Sequence, residues 1–324
     1  MLGLPQTLCF QGFTYRVSSS SVKVERLEKS PYMPFLEEVK VTEMGNIIEI
    51  QAIENRNHRS VIQRLDRDTY LDKRTGEVKE VSHMTSRVQD TKSLSRSMKK
   101  LRSIINTNIT DTSHVRWVTL TYAENMTDTK RLYDDFRKFN QRFQYYLTKH
   151  GYGKAEYICS IEPQGRGAWH CHILFIWSNQ APFIPNSELE RIWGHGFTKI
   201  TALDNVDNVG AYLTVYLSDI SLDEAVETDI PVCDNAKSKI RNDKKYIKGA
   251  RLSLYPANCR LYRTSRGIKK PECEWMPPAK AFEKVRHGKL TYEKNVHITD
   301  TATGFDTNIS TWEYNMGIGT KKKE

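Results

Sequence analysis

The stretch EPQGRGAWHCHILFIW, residues 162–177, places two histidines two positions apart inside an apolar segment that is typical of a β-strand. Because side chains alternate along a strand, His170 and His172 should share one face. The alternate positions on the other face are apolar: Cys171, Ile173, Phe175 and Trp177. Two imidazoles on one face can bind one divalent cation, although a histidine on a strand is more commonly satisfied by a hydrogen bond.

Glu162 offers an oxygen ligand next to these imidazoles. It ends the strand-like segment AEYICSIE, residues 155–162, and a short GRGA turn then leads into the histidine strand. An antiparallel pair joined by this turn would bring the carboxylate beside both rings. Mixed oxygen and nitrogen ligands favour Mg²⁺ or Mn²⁺ over a closed structural zinc site, which would normally include thiolates.

The length and the cysteines limit the class of protein. A chain of 324 residues can hold one main domain of roughly 150 residues with additions at both ends. The chain has no CxxC pair, no apolar run near the roughly 18 residues that a membrane span needs and no signal-peptide pattern at its N-terminus. We therefore expect a reduced, soluble, cytoplasmic protein without membrane contact.

Positive charge is concentrated near the C-terminal end of the chain. The net charge is +10, and residues 237–290 contain sixteen Lys or Arg against four Asp or Glu, interleaved with aromatic residues. This mixture is typical of nucleic-acid binding, although a solvated basic face would have the same composition. The predicted DNA contacts are Lys244, Lys245, Lys248, Arg251, Arg263, Arg266, Lys269 and Lys270.

The order of elements predicts an α+β fold: a mainly antiparallel sheet with flanking helices, which we expect on one face. An apolar stripe after an N-cap at Asp128 predicts a helix that packs on this sheet. The elements are a helix over 93–105, a strand over 115–122, the helix after Asp128, two strands around Glu162 and His170, a helix from Pro185 to Gly194, a strand in 196–203 and a helix in 204–220. The predicted regions are a poorly defined N-terminal part (1–90), a core (91–225), a basic extension (226–290) and a partly disordered tail (291–324).

Two tyrosines lie one helical turn apart in the last of these helices. Tyr212 and Tyr216 occur in DNVDNVGAYLTVYLSDI, residues 204–220, along one flank of an apolar stripe. Tyrosines with this spacing more commonly pack than react. A nucleophilic role depends on what else the fold brings to them.

Three motifs in order give the chain a resemblance to the rolling-circle replication initiators of the HUH endonuclease superfamily, found on bacterial plasmids, phages and integrative elements. VTLTY at 118–122 resembles the family's first motif, WHCHILF at 169–175 its paired-histidine strand and AYLTVYL at 211–217 its tyrosine helix. The similarity spans about 93–270 and includes the basic segment RLSLYPANCRLYRTSRGIKKP at 251–271.

The resemblance implies a central antiparallel sheet like that of an RNA-recognition module. It also implies that His170, His172 and Glu162 are metal ligands, with Gln164 as an alternative to Glu162. Tyr216 would be the first nucleophile and Tyr212 the second.

The chain departs from the family at two positions. The family commonly has lysines just before the second tyrosine and three residues after it, where this chain has Val215 and Asp219. Lys199 or the basic segment are candidates for supplying the missing positive charge.

The implied activity is metal-dependent nicking and rejoining of single-stranded origin DNA through a 5′-phosphotyrosine, with Mg²⁺ or Mn²⁺ as cofactor. Because the sequence has no GxxxxGK[ST] phosphate loop, unwinding would fall to a host helicase, followed by a host DNA polymerase. The same chemistry would suit a relaxase or a single-strand transposase. A non-catalytic origin-binding regulator is the alternative from another class.

Overall fold

A computed structural model describes most of the chain, and its described residues fall into two compact units. They are residues 7–10, 13–16, 22–33, 35–56, 62–81, 91–203, 206, 208–221, 238–241, 244–247, 251, 254–256, 259–301 and 303–317. The first unit lies within Met1–Thr42, Ile48–Thr85 and Cys273–Glu324, and the second within Glu43–Ile47 and Ser86–Glu272.

The secondary structure of the described residues has the following bounds. The helices are α1 (Thr91–Asn108), α2 (Thr129–Lys149), α3 (Asn186–Trp193), α4 (Val209–Ser218) and α5 (Pro278–Lys284). The strands are β1 (Thr7–Phe10), β2 (Phe13–Arg16), β3 (Val22–Leu27), β4 (Val39–Met44), β5 (Ile47–Ile53), β6 (Ile62–Arg64), β7 (Thr69–Asp72), β8 (Glu77–Glu80), β9 (Val115–Thr121), β10 (Glu156–Pro163), β11 (Trp169–Ile176), β12 (Thr198–Thr201), β13 (Ile220–Ser221), β14 (Ser238–Arg241), β15 (Lys244–Ile247), β16 (Tyr262–Thr264), β17 (Glu272–Met276), β18 (Lys289–Asp300) and β19 (Phe305–Asn315).

A five-stranded antiparallel sheet organises the second unit, in the order β12-β9-β11-β10-β16. The predicted hairpin is confirmed: β10 and β11 pair with Glu162 directly opposite His170. On the other side of β11, Thr121 lies opposite His170 and Thr119 opposite His172. The histidine strand is therefore the central strand of the sheet, and the predicted α+β class with flanking helices is confirmed.

The helices cover both faces of this sheet, so the expectation that they pack on one face was wrong. Alternate residues of β11 enter two separate cores. Ile173 and Phe175 pack with α2 and α3, while Leu174 packs with α1 and α4. The reason is the position of β11: a central strand in a layered sheet has both faces to bury.

Local sequence signals begin and end these helices where expected. The carboxylate of Asp128 accepts hydrogen bonds from the backbone N–H groups of Lys130 and Arg131, which caps α2. Gly194 ends α3 in the left-handed conformation, with φ of 71°. Asn208 caps α4 by accepting from the N–H of Ala211 at 2.9 Å.

Close contact between α1 and α4 depends on one glycine. A Cβ atom at Gly210 would lie 2.5 Å from the carbonyl oxygen of Arg102. The Gly210 N–H donates to the side-chain oxygen of Asn106 at 2.9 Å. A larger residue at position 210 would push the two helices apart, so Gly210 fixes the height of α4 above the sheet.

The first unit contains a six-stranded sheet in the order β17-β4-β5-β19-β18-β3. Its longest strands, β18 and β19, pair along almost their whole length. They contain much of the segment 291–324, which the sequence predicted as a partly disordered tail, and the predicted strand at 46–54 is β5. The other predicted region boundaries stay predictions. Among the described residues, no helix combines the length and the apolar character that crossing a bilayer requires.

Candidate metal centre and tyrosine helix

Glu162, His170 and His172 converge on the sheet face that α1 and α4 cover. Their ligand atoms all lie within 4.8 Å of one another. The hairpin register causes this convergence, because it places Glu162 opposite one histidine while alternation keeps the other on the same face. One carboxylate oxygen and two imidazole nitrogens form a ligand set that suits a divalent cation.

His172 is oriented by partners on both sides of its strand. Its Nδ1 is hydrogen-bonded to the Thr119 hydroxyl at 3.2 Å, and its Nε2 is hydrogen-bonded to the carboxylate of Glu162. Sequence reasoning placed Thr119 in a family motif without giving it a role. Its position two residues from Thr121 on β9 was the available signal, because alternation puts both on the histidine face. Such partners fix the ring of a metal ligand.

His170 has a ring nitrogen without a partner. Its Nε2 is buried and, among the described residues, has no hydrogen-bond partner. Burial disfavours the charged imidazolium and lowers the pKa of His170 to about 4, even though the nearby Glu162 carboxylate acts in the opposite direction. The ring is therefore neutral at pH 7. A buried polar atom without a partner calls for an explanation, and a bound cation is one that fits the neighbouring groups.

Glu162 is buried but ionised. Burial alone would raise the pKa of its carboxyl, but His172 and the Arg251 guanidinium more than offset this and hold the pKa below its ordinary value. Glu162 Oε1 lies 2.9 Å from Arg251 Nη1. Gln164, the predicted alternative ligand, accepts a hydrogen bond from Arg166 at 3.1 Å. The residues at hand therefore fit a divalent ion with Glu162 as the oxygen ligand.

Tyr212 is connected to this cluster through Trp117. The Tyr212 ring packs edge-on against Trp117 with centroids 5.9 Å apart, and Trp117 lies 5.9 Å from the His172 ring. Trp117 shares the histidine face of β9 with Thr119, and sequence reasoning did not single it out. Tyr212 is thus half-buried on the same face of the sheet as the candidate ligands.

The C-terminal end of α4 lies next to Glu162. The Tyr255 hydroxyl lies 2.9 Å from the carbonyl oxygen of Ile161 and 3.1 Å from that of Leu217, so it bridges β10 and α4. Tyr216 follows Tyr212 by one turn toward this end; its side chain lies outside the described part of the structure. The helix therefore carries both tyrosine positions along the face that holds the candidate ligands.

The predicted DNA contacts lie in several different places. Arg251 is buried beside Glu162 instead of lying on a surface. Arg263 lies on β16 with its guanidinium 3.5 Å from the centre of the Tyr133 ring, on the α2 side of the sheet. The exposed residues after β16 are Arg266, Lys269 and Lys270. Lys248 and the side chains of Lys244 and Lys245 lie outside the described residues.

Lys199, a candidate for the missing family lysines, is exposed on β12. It pairs with Thr119, which pairs in turn with His172. Directly opposed residues of neighbouring strands share a face. Lys199 therefore lies on the same row and the same face as His172, two strands away.

The sheet, the carboxylate–histidine cluster and the tyrosine helix together define a candidate metal-dependent site beside two phenol positions. Residues 115–221, which contain all of these elements, match the family model of the ORF2 type of replication-associated protein. The match supports a replication initiator. Neither the comparison with curated proteins nor the comparison with solved structures gave a match.

Proposed function

We propose that the protein is a rolling-circle replication initiator that nicks and rejoins single-stranded origin DNA through a 5′-phosphotyrosine, with Mg²⁺ or Mn²⁺ as cofactor. The observation that carries the proposal is the convergence of Glu162, His170 and His172 within 4.8 Å on the face covered by the tyrosine helix. The match of residues 115–221 to the replication-associated family supports the same function.

Glu162, His170 and His172 are the residues that would hold the metal ion. The neutral ring of His170, with its buried Nε2, and the ionised carboxylate of Glu162 are in the protonation states that ligation requires. A divalent ion bound there would supply Lewis-acid polarisation of a non-bridging phosphate oxygen. The hydrogen bond from Thr119 would keep His172 oriented during this chemistry.

The tyrosine helix would supply the nucleophile. A free phenol has a pKa of about 10 and is a weak nucleophile at neutral pH. In the proposed step, the phenol oxygen of Tyr216 attacks phosphorus and loses its proton, and a tyrosine O–P bond forms as the P–O3′ bond breaks. The departing 3′ oxygen takes up a proton and becomes a free 3′-hydroxyl. The phosphotyrosine retains the bond energy, so joining needs no nucleotide cofactor.

Tyr212 would act in the second transfer, while Tyr216 still holds DNA. Its edge-on contact with Trp117 would hold the phenol on the histidine face. Tyr212→Phe should leave the first nicking step intact and abolish transfer of the held strand to a second site. Normal rates of both steps in this variant would contradict the two-tyrosine proposal.

The direct test is incubation of the protein with Mn²⁺ and end-labelled single strands tiled across the DNA that flanks its coding sequence. We expect a metal-dependent cut, and mass analysis of the digested protein should find a nucleotide adduct on Tyr216 or Tyr212. Binding without cleavage would indicate the non-catalytic regulator. An adduct on neither tyrosine would overturn the mechanism.

The relaxase and transposase alternatives would give the same adduct. Plasmid replication assays separate them from a replication initiator. Maintenance of a small replicon that carries the cut site and the intact coding sequence, and its loss with Tyr216→Phe, would favour initiation.

A further inference from the structure

Arg251 comes from the basic segment, yet its side chain is only 6% exposed. Its Nη1 lies 2.9 Å from Glu162 Oε1 and 2.9 Å from the carbonyl oxygen of Pro163, and its Nε lies 3.1 Å from the carbonyl oxygen of Asp219. Glu162 and Pro163 end β10, whereas Asp219 is the C-cap of α4. One guanidinium thus connects the strand that carries the candidate oxygen ligand to the end of the tyrosine helix.

Stability alone does not account for this arrangement. Removing two charges from water has a desolvation cost, and replacing a buried ion pair by well-packed apolar residues is commonly neutral or stabilising. What arginine adds is direction, because its donors are fixed in one plane. A planar group bonded to three acceptors holds those acceptors at fixed relative positions.

The two oxygens of Glu162 have separate partners. Oε1 faces Arg251, and Oε2 is hydrogen-bonded to His172 Nε2. With one oxygen held by Arg251, the carboxylate cannot rotate freely, and its other oxygen stays on the side of the imidazoles. Side chains that hold a ligand in this way commonly change metal affinity or activity by about 10- to 100-fold when they are replaced.

We infer that Arg251 is a positioning residue: it holds the Glu162 carboxylate toward His170 and His172 and keeps the end of the tyrosine helix beside them. The inference rests on the proposed function, because it concerns the same site. Arg251 acts through Glu162 and the α4 terminus, since a buried guanidinium is not placed to contact the DNA backbone.

Two substitutions and one matched control test this role in the full chain. Arg251→Lys keeps the positive charge but loses the planar fork, and Arg251→Met removes both. The control is Arg142→Met on the opposite face, because Arg142 likewise donates to two backbone carbonyls at a helix end, Ile192 at 3.0 Å and Trp193 at 3.2 Å. Thermal melting of each variant measures the structural contribution, and Arg251→Lys serves if Arg251→Met does not fold.

The first readout is Mn²⁺ binding to the metal-free protein by calorimetry. If Arg251 merely placed a positive charge near the site, Arg251→Met would bind the cation more tightly, because a repulsion is removed. The positioning role predicts the opposite: both Arg251 variants should bind Mn²⁺ about 10- to 100-fold more weakly, and Arg142→Met should bind it as wild type does. Unchanged or tighter binding in both Arg251 variants would overturn the inference.

The second readout is steady-state nicking at saturating Mn²⁺. We expect kcat to fall in Arg251→Lys while KM for single-stranded DNA stays within about twofold, because Arg251 does not face DNA. A rise in KM with kcat unchanged would instead make Arg251 a DNA contact and refute the positioning role. Absence of Mn²⁺ binding by the wild-type protein would refute the proposed function and this inference together, whereas normal wild-type activity with unaffected Arg251 variants would refute this inference alone.

Discussion

The two faces of the five-stranded sheet are built from the same strands but for different purposes. The face under α2 and α3 is an aromatic core in which Phe175 is fully buried, with its ring centroid 4.6 Å from that of Phe143. The face under α1 and α4 is apolar at Leu174 but polar at His170 and His172. One face stores packing energy, and the other gives up packing to hold titratable groups.

This difference separates stability from activity by one residue along β11. Neighbouring positions on the strand face opposite cores, so a substitution at an odd-numbered position should affect folding and one at an even-numbered histidine should affect chemistry. Substitutions at adjacent positions can therefore break or sharpen the comparison.

The largest expected effect is loss of nicking in His170→Ala. Removing one of the three candidate ligands should lower the rate at least about 1,000-fold, which corresponds to about 4 kcal/mol of transition-state stabilisation. The melting temperature should stay close to that of wild type, because the His170 Nε2 has no partner among the described residues whose bond could be lost. Single-turnover nicking with Mn²⁺ and a melting curve measure both quantities. Nicking within about tenfold of wild type would contradict the ligand assignment.

The second effect should appear only in stability. Phe175→Ala removes a fully buried ring from the α2 and α3 core and should lower the free energy of unfolding by about 3–5 kcal/mol. Urea denaturation followed by tryptophan fluorescence measures this loss. Tyr145→Ala on the exposed side of α2, where the side chain is 72% exposed, is the matched control and should change stability little. A loss below about 1 kcal/mol in Phe175→Ala would mean that this core does not carry the fold.

Local patterns made much of the sheet predictable from sequence. Alternation in β11 identified both its apolar face and its histidine face, and the short turn after Glu162 set the hairpin register that the structure confirms. The Asp128 cap and the apolar stripe of α2 follow from spacing within a single helix. Each of these inferences depends on residues close together in the chain.

What the sequence did not predict depends on contacts between distant segments. Arg251 lies 88 positions beyond Pro163 in the chain, and no local pattern distinguishes it from the other basic residues of its segment. The pairing of β18 with β3 joins strands from distant parts of the chain in one sheet, which no periodicity shows. Packing of α1 and α4 on the histidine face likewise depends on Gly210, a single residue that fits against Arg102.

A smaller effect should follow from Lys199→Ala on the histidine face. Lys199 is exposed on the row that runs through Thr119 to His172, which places its charge where the phosphates of a bound strand would pass. Its loss should weaken single-stranded DNA binding about fivefold and lower the slope of log affinity against log salt by about 0.7. Lys149→Ala at the end of α2, on the other side of the sheet, should change neither quantity. An unchanged salt slope in Lys199→Ala would exclude a phosphate contact.

The smallest expected effect concerns alkaline pH and the α2 side of the sheet. Burial, the largest influence, raises the pKa of Tyr133 to about 12, and its hydroxyl donates to the Arg260 carbonyl at 2.8 Å. Because the folded protein keeps this proton to higher pH than the unfolded chain does, its contribution to stability is complete below about pH 10 and is lost as the pH rises toward 12. Tyr133→Phe has no proton to lose, so its stability should fall less steeply across this window. The difference should stay well below the roughly 1.4 kcal/mol per pH unit of a fully buried group, because Tyr133 is only partly buried. Urea midpoints for both proteins at several pH values between 9 and 12 measure it, and parallel curves would show that the Tyr133 hydroxyl titrates alike in the folded and unfolded chains.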